Sequence, residues 1–134
     1  MKQVVLDASA VMTFFENRPG ADKVEELLHL GVAGKRQLLM SVVNWGEVYY
    51  STWRAHGPGV ARKILEDISQ LPIEVVDATL DLTRAAAELR AGHKLPYTDC
   101  FAAALAAHRK ASLATSDQDF AAVEKKIDIP WTTA

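Results

Sequence analysis

The sequence predicts a three-layer α/β/α fold around a mainly parallel sheet of four to five short strands. Short apolar runs such as Val4-Val5-Leu6 lack alternation with polar residues, which is typical of strands covered on both faces. Segments with helical spacing separate these runs, and strands that alternate with helices indicate a parallel sheet. The 134 residues, 49% hydrophobic and 24% charged, fit a single domain that spans residues 1–134.

Each element follows from local patterning and from the Gly and Pro residues that interrupt it. The predicted strands occupy residues 4–6, 37–43, 73–76, 112–115 and 127–131. The predicted helices occupy residues 8–15, 22–33, 44–56, 60–71, 78–91, 99–110 and 118–125. The last strand is expected at an edge, because Pro130 is poorly tolerated in a central strand. Asp77 and Thr98 are expected to cap the fifth and sixth helices.

Bulk properties narrow the class of protein. The net charge of -2 counts against extensive non-specific nucleic-acid binding. The single cysteine, Cys100, excludes an intrachain disulfide and a Cys-rich zinc site, and it favours a reducing, cytoplasmic compartment. We expect neither a signal peptide nor a membrane span. The histidines show no zinc-ligand spacing, and no GxSxG motif for a serine hydrolase is present.

Two acidic residues directly follow predicted strands. Asp7 ends the first strand and Asp117 follows the fourth. Because parallel sheets bind ligands beyond the carboxyl ends of their strands, both acids are expected at the same rim. Asp7 also suits the N-cap of the next helix, and Ser9 is placed to support its carboxylate or a bound water.

Asp99 lies in the first turn of its helix, where the helix dipole alone favours a carboxylate. Ala102, Ala103 and Ala106 continue its face as a stripe of small residues that should pack closely on the sheet. An acid on a buried face requires a partner, and a cation is a good one. Distant carboxylates without matching cationic partners are typical ligands of a hard divalent ion such as Mg²⁺.

The other acids have competing interpretations. Glu47 and Asn44 lie opposite an apolar helical stripe, so Glu47 by itself is expected to be solvated. The stripe consists of Trp45, Val48, Tyr49, Thr52 and Trp53. Ser116-x-x-Asp119 resembles a capping box, which makes Asp119 the structural acid and leaves Asp117 to face the rim.

Four motifs occur in a fixed order along nearly the whole chain. They are D-x-S at 7–9, N-x-x-E at 44–47, P-Y-x-D before an Ala-rich helix at 96–107, and T-x-D-x-D-F at 115–120. Together they resemble the PIN-domain ribonucleases, and most of all the compact VapC-like toxins of VapBC-type toxin–antitoxin pairs.

The resemblance implies an acidic pocket that binds Mg²⁺ or Mn²⁺ and hydrolyses RNA phosphodiester bonds. Its acids would be Asp7, Glu47, Asp99 and Asp117, with Ser9, Asn44, Thr115 and Asp119 as auxiliary residues. It also implies a homodimer and a small antitoxin that blocks the site. Apolar helix faces beyond the needs of one core would serve both contacts. They include Phe14, Phe15, Leu27, Leu28, Tyr50 and Trp53.

Two alternatives stay open from the residues alone. One is a PIN-like binding scaffold without turnover. The other is a receiver-like phosphoacceptor module, which needs a lysine after a late strand that the tail 127–134 does not offer. Contacts to an RNA backbone are assigned from charge alone. The candidates are Arg18, Arg84, Arg90, His93 and Lys94.

Overall fold

The computed structural model describes residues 2–133, and these form a parallel sheet enclosed by helices. The strands are β1 (Lys2–Leu6), β2 (Arg36–Ser41), β3 (Ile73–Val76) and β4 (Ser112–Ala114). The helices are α1 (Ala8–Phe15), α2 (Ala21–Val32), α3 (Val42–His56), α4 (Pro58–Ser69), α5 (Leu80–Gly92) and α6 (Tyr97–Arg109). A short 3₁₀ helix, Gln118–Val123, follows β4.

The sheet separates two hydrophobic cores, as the apolar runs predicted. Val5, Leu39 and Leu113 face the core that α5 and α6 complete. Val4 and Leu38 face the opposite core, to which α1, α2, α3 and α4 contribute. Successive residues of a strand point to opposite faces, so a strand buried on both sides needs apolar residues throughout. The three-layer α/β/α prediction is confirmed.

The strand order is β3-β2-β1-β4, and every neighbouring pair is parallel. From β1, the next two strands along the chain, β2 and β3, are added on one side of the sheet. The last strand, β4, is added on the other side of β1. Such a reversal opens a crevice at the carboxyl ends of the two strands, here β1 and β4. In receiver domains β1 instead lies between β2 and β3, so the receiver-like alternative does not match this topology.

The predicted fifth strand at 127–131 is wrong, because this segment lies beside β4 without forming a ladder. Leu113 donates its N–H to the Asp128 carbonyl at 2.9 Å, and Thr132 donates to the Thr115 carbonyl at 3.0 Å. In a parallel ladder the residue two positions after Asp128 would donate back to Leu113. That residue is Pro130, which has no N–H.

Five helix starts differ from prediction; α2 begins at Ala21 instead of residue 22 and α4 at Pro58 instead of residue 60. Helix α3 begins at Val42 because the Ser41 hydroxyl, not Asn44, caps it, accepting the Val43 N–H at 3.2 Å. Helix α5 is capped by Thr79 instead of Asp77. Helix α6 begins at Tyr97, which leaves Thr98 inside the helix and not at its cap. Within residues 2–133, no helix combines the length and apolarity of a membrane-spanning segment.

Candidate functional site

Asp7 ends β1 with its carboxylate buried and fully engaged. Its side chain is 2% exposed. It accepts the Ala10 N–H at 2.8 Å, which caps α1 as predicted. It also accepts hydroxyl protons from Ser9 at 2.8 Å and Thr115 at 2.6 Å. The Asp7 carboxylate therefore caps α1, and a hydrogen bond from Thr115, directly after β4, fixes its orientation.

Thr115 and Ser9 join the ends of β1 and β4. Thr115, immediately after β4, is fully buried, and its hydroxyl accepts the Asp117 N–H at 2.9 Å while it donates to Asp7. The Ser9 hydroxyl accepts the Ser116 N–H at 3.2 Å. These bonds cross the crevice between the two strands. They bring Asp7 and Asp117 to the rim formed by the carboxyl ends of β1 and β4, where their positions directly after two parallel strands predicted them.

A tight carboxylate cluster lies at this rim. Asp99, Asp117 and Asp119 each offer one oxygen, and these three oxygens lie within 4.8 Å of one another. Asp99 is 6% exposed, and its Oδ2 has no hydrogen-bond partner among residues 2–133. The predicted alanine stripe behind Asp99 is fully buried, so α6 packs closely and aims this acid inwards. The stripe consists of Ala102, Ala103 and Ala106.

The cap of the 3₁₀ helix differs from expectation, although Asp117 lies at the rim. Asp117 is the N-cap of the 3₁₀ helix and accepts the Asp119 N–H at 2.9 Å. The helix begins one residue later than a capping box at Ser116 would require, so that interpretation of Asp119 is wrong. Asp119, which the resemblance implied only as an auxiliary residue, is exposed and offers an oxygen to the same cluster.

Glu47 and Asn44 also lie differently from expectation. Asn44 is fully buried, on the α3 face that continues with Val48, while Trp53 of the predicted apolar stripe is 42% exposed. Glu47 is half-buried and not fully solvated. Helix α3 packs against α6 as well as against α1 and α4, which rotates its buried face away from the most hydrophobic stripe. The sequence signal for this arrangement was the N-x-x-E spacing, which places Asn44 about one helical turn before Glu47.

The acids form one electrostatic unit. Burial raises the pKa of Asp7 to about 6, although hydrogen bonds from Thr115, Ala10 and Ser9 oppose the rise. Burial also raises the pKa of Glu47, which a hydrogen bond from Asn44 opposes. The pKa of Asp99 rises to about 8 through burial, a hydrogen bond with Asp117, and the charges of Asp117, Glu47 and Asp7. Asp117 contributes to all three shifts.

This arrangement fits a hard divalent cation. Among residues 2–133, no lysine, arginine or histidine forms an ion pair with any of the acids. The buried Asp99 oxygen has no protein donor, and the surrounding groups are carboxylates, the ligands that Mg²⁺ and Mn²⁺ prefer. A buried charge without a partner is costly, and a cation at the cluster would relieve that cost. Asp7 and Glu47 lie outside the tight cluster but within its field.

Removing the Thr115 hydroxyl is expected to destabilise the protein through Asp7. Thr115→Val keeps the side-chain shape but leaves the Asp7 carboxylate without its 2.6 Å donor. Without added metal, the free energy of unfolding should fall by about 1.5–3 kcal/mol, the range for a hydrogen bond to a charged group. The loss should be greater at about pH 8 than at about pH 5, because Asp7 ionises near pH 6.

Thr132→Val is the matched control, because the Thr132 hydroxyl is buried without a partner in the described part of the chain. That change should be neutral or stabilising. Urea unfolding of both variants at the two pH values measures the difference. Equal losses in the two proteins would contradict the assigned role of Thr115.

Residues 4–126 match the PIN domain model. The chain belongs to the PIN domain family. All four predicted acids lie within the matched segment, as do the two hydroxyl residues that hold Asp7. No curated protein sequence matches the chain at a significant level.

Several solved structures with the same fold come from toxin–antitoxin systems. VapBC2 of Rickettsia felis, solved with a promoter DNA fragment, is 19% identical with a TM-score of 0.76, covering 96% of this chain and 98% of that one. VapC20 of Mycobacterium tuberculosis, described as a sarcin-ricin loop cleaving toxin, is 18% identical with a TM-score of 0.72, covering 90% and 94%. A Klebsiella pneumoniae toxin–antitoxin complex is 22% identical with a TM-score of 0.66, covering 90% and 92%.

Proposed function

We propose that this PIN domain protein is a Mg²⁺- or Mn²⁺-dependent endoribonuclease and the toxin of a type II toxin–antitoxin system. We also propose that residues 1–134 form one PIN domain. The observation that carries the proposal is the buried Asp99 oxygen, which has no hydrogen-bond partner in the described part of the chain and lies in a carboxylate cluster at the crevice between β1 and β4. The description of VapC20 as a cleaving toxin supports nuclease activity for a chain of this fold.

Within the proposed site, Asp99, Asp117 and Asp119 would hold the cation, and Asp7 and Glu47 would complete the acidic pocket. The bound ion would supply Lewis-acid chemistry, lowering the pKa of a water and offsetting the charge that develops on the phosphate. The protein orients its own groups for this. The hydroxyl groups of Ser9 and Thr115 donate hydrogen bonds to the Asp7 carboxylate. These bonds hold the carboxylate in one orientation.

The proposed partners are an antitoxin, a second copy of the chain and RNA, in the cytoplasm. Tyr50 is 51% exposed and Trp53 is 42% exposed, both on α3. Residues of α1, α3 and α4, among them Met12, Val48 and Ile64, line a cavity of about 190 Å³. An amphipathic helix buries its apolar side chains in grooves of this kind, which supports an antitoxin contact here. Contacts of Arg18, Arg84, Arg90, His93 and Lys94 with RNA stay a prediction.

The purified protein, free of any antitoxin, is expected to cleave RNA with Mn²⁺ and to stop when EDTA is added. Asp117→Asn should lower the rate more than Asp119→Asn, because Asp117 also caps the 3₁₀ helix and lies nearest the other acids. For Asp119→Asn we expect a rate about tenfold lower that additional Mn²⁺ restores in part. Gel-based cleavage assays across a range of Mn²⁺ concentrations measure both effects.

Asp81→Asn, at an exposed acid on α5, is the control and should behave as the parent. If the parent binds Mn²⁺ and RNA but does not cleave it, the binding scaffold without turnover is the correct alternative. If Asp117→Asn and Asp119→Asn respond to Mn²⁺ as the parent does, the cluster does not hold the ion.

A further inference from the structure

Asn44 is buried in a position where the core does not require a polar side chain. It is 0% exposed, on the α3 face that continues with the apolar Val48. Its carbonyl oxygen Oδ1 is buried and has no hydrogen-bond partner among residues 2–133. An unpaired buried carbonyl costs free energy that an apolar side chain of similar shape would avoid. Stability alone therefore does not explain an asparagine here.

The amide nitrogen of Asn44 makes two specific contacts. Nδ2 donates to Oε1 of Glu47 at 3.3 Å and to the main-chain carbonyl of Thr98 at 3.1 Å. Both partners are acceptors with no proton to offer, which determines the orientation of the amide. Because both N–H groups of the amide point towards Glu47 and the Thr98 carbonyl, Oδ1 faces a part of the core where no described residue offers it a hydrogen bond.

These contacts connect two parts of the acidic site that come from different helices. Glu47 lies on α3, one turn after Asn44, and Thr98 directly precedes Asp99 on α6. The Asn44 amide therefore bridges the Glu47 carboxylate to the backbone beside Asp99. Glu47 is half-buried, which raises its pKa, and hydrogen bonds from the side chains of Asn44 and Thr98 both oppose that rise. Without Asn44, the Glu47 carboxylate would lose the contact that also reaches the main chain directly before Asp99.

We propose that Asn44 is a positioning residue that holds the Glu47 carboxylate beside Asp99 through its two-point contact with Glu47 and Thr98. The inference rests on the proposed metal-dependent nuclease activity, and it assigns Asn44 no contact with substrate or metal. Its effect on the reaction passes through Glu47. The asparagine therefore trades some stability for the orientation of an acid, a compromise expected at functional sites.

Asn44→Leu tests this, because leucine has a similar branched shape and offers no donor. We expect kcat/KM for Mn²⁺-dependent RNA cleavage to fall by about 10- to 100-fold. This is the range for residues that hydrogen-bond to metal-binding side chains and orient them. The Mn²⁺ concentration for half-maximal activity should rise. The melting temperature should change little, because removal of the unpaired carbonyl offsets the loss of the two hydrogen bonds that the amide donates. A residue with a purely structural role would instead lower the melting temperature and leave the Mn²⁺ response unchanged.

The double variant with Glu47→Gln identifies the route of the effect. If Asn44 acts through Glu47, Asn44→Leu should cause little further loss in a Glu47→Gln background, so that the two effects are strongly non-additive. Asn44→Asp provides a second test with a side chain of nearly the same size. It should be at least as impaired as Asn44→Leu, because its carboxylate repels Glu47. Thr13→Val, a buried polar-to-apolar change on α1, should keep the parental activity.

The outcomes separate this inference from the proposed function. An active parent together with an equally active Asn44→Leu or a folded, equally active Asn44→Asp would overturn the inference alone. Additive losses in the double variant would also overturn it. A parent that neither binds Mn²⁺ by calorimetry nor cleaves RNA would overturn both proposals together.

Discussion

Asp99→Asn is expected to abolish metal-dependent RNA cleavage while leaving the metal-free fold as stable as the parent or more stable. The rate should fall by at least about 100-fold, because the variant removes a carboxylate whose buried oxygen would contact the cation. The stability should not fall, because asparagine is neutral in both states, whereas burial and the charges of neighbouring acids force Asp99 to take up a proton on folding. An acid placed only for the dipole of α6 predicts a slight loss of stability instead.

Cleavage assays with Mn²⁺ and thermal melts in EDTA together test this prediction. Asp81→Asn is the matched control, since Asp81 also lies in the first turn of a helix but remains exposed. It should lose a few tenths of a kcal/mol at most and keep its activity. An Asp99→Asn protein that cleaves RNA as fast as the parent would refute the assigned metal site.

The metal-free protein is expected to lose stability as the pH rises, and metal is expected to restore it. The pKa of Asp99 is raised from 3.8 to about 8 in the folded state, and that of Asp7 to about 6. The folded protein therefore binds protons that the unfolded chain has already released. This contribution is fully present below the unfolded pKa and is lost as the pH rises through the folded values. Each proton contributes a slope of up to about 1.4 kcal/mol per pH unit.

Urea unfolding between about pH 5 and about pH 9 in EDTA measures this slope. Mn²⁺ at about a hundred times its dissociation constant should raise the free energy of unfolding by roughly 2.7 kcal/mol, which is several degrees in melting temperature. The Mn²⁺ affinity should increase with pH, because the ion must displace the proton held at Asp99. Calorimetry in buffers of different ionisation enthalpy detects that released proton.

Asp99→Asn provides the control for the pH dependence. In this variant the free energy of unfolding should no longer fall between about pH 6 and about pH 8. Much of the stabilisation by Mn²⁺ should also be lost. The lower part of the slope, which Asp7 contributes, should remain. If the variant keeps the parental slope and the parental response to Mn²⁺, Asp99 is neither the high-pKa group nor a metal ligand.

Local sequence determined most of the architecture. The apolar runs predicted β1, β2 and β4 because a strand buried on both faces cannot alternate with polar residues. The same reasoning placed Asp7 and Asp117 at one rim, since the position of a residue directly after a parallel strand follows from strand direction alone. The alanine stripe after Asp99 predicted the packed face of α6 because only small side chains permit so close a contact. These inferences require only neighbouring residues and general rules of the sheet.

Details that depend on small local energies were less predictable. Alternative N-caps differ by about 1 kcal/mol, so the start of α3 directly after Ser41 and the choice of Thr79 over Asp77 depend on where the preceding strand ends. The tail 127–131 contains β-branched and aromatic residues, and yet the missing N–H of Pro130 prevents a ladder with β4. The cap of the 3₁₀ helix is Asp117 and not Ser116, a difference of one residue.

The sequence by itself determined the fold class, the family resemblance and which acids were candidates, because these follow from patterns of local residues and their order. Only the tertiary structure decided which carboxylates approach one another. The packing of α3 against α6 buried Asn44 and brought Glu47 near Asp99, although the hydrophobic stripe of α3 favoured another face. The folded chain also joined Asp119 to Asp99 and Asp117. Such contacts depend on the relative placement of distant elements, and packing of whole helices outweighs the preferences of single residues.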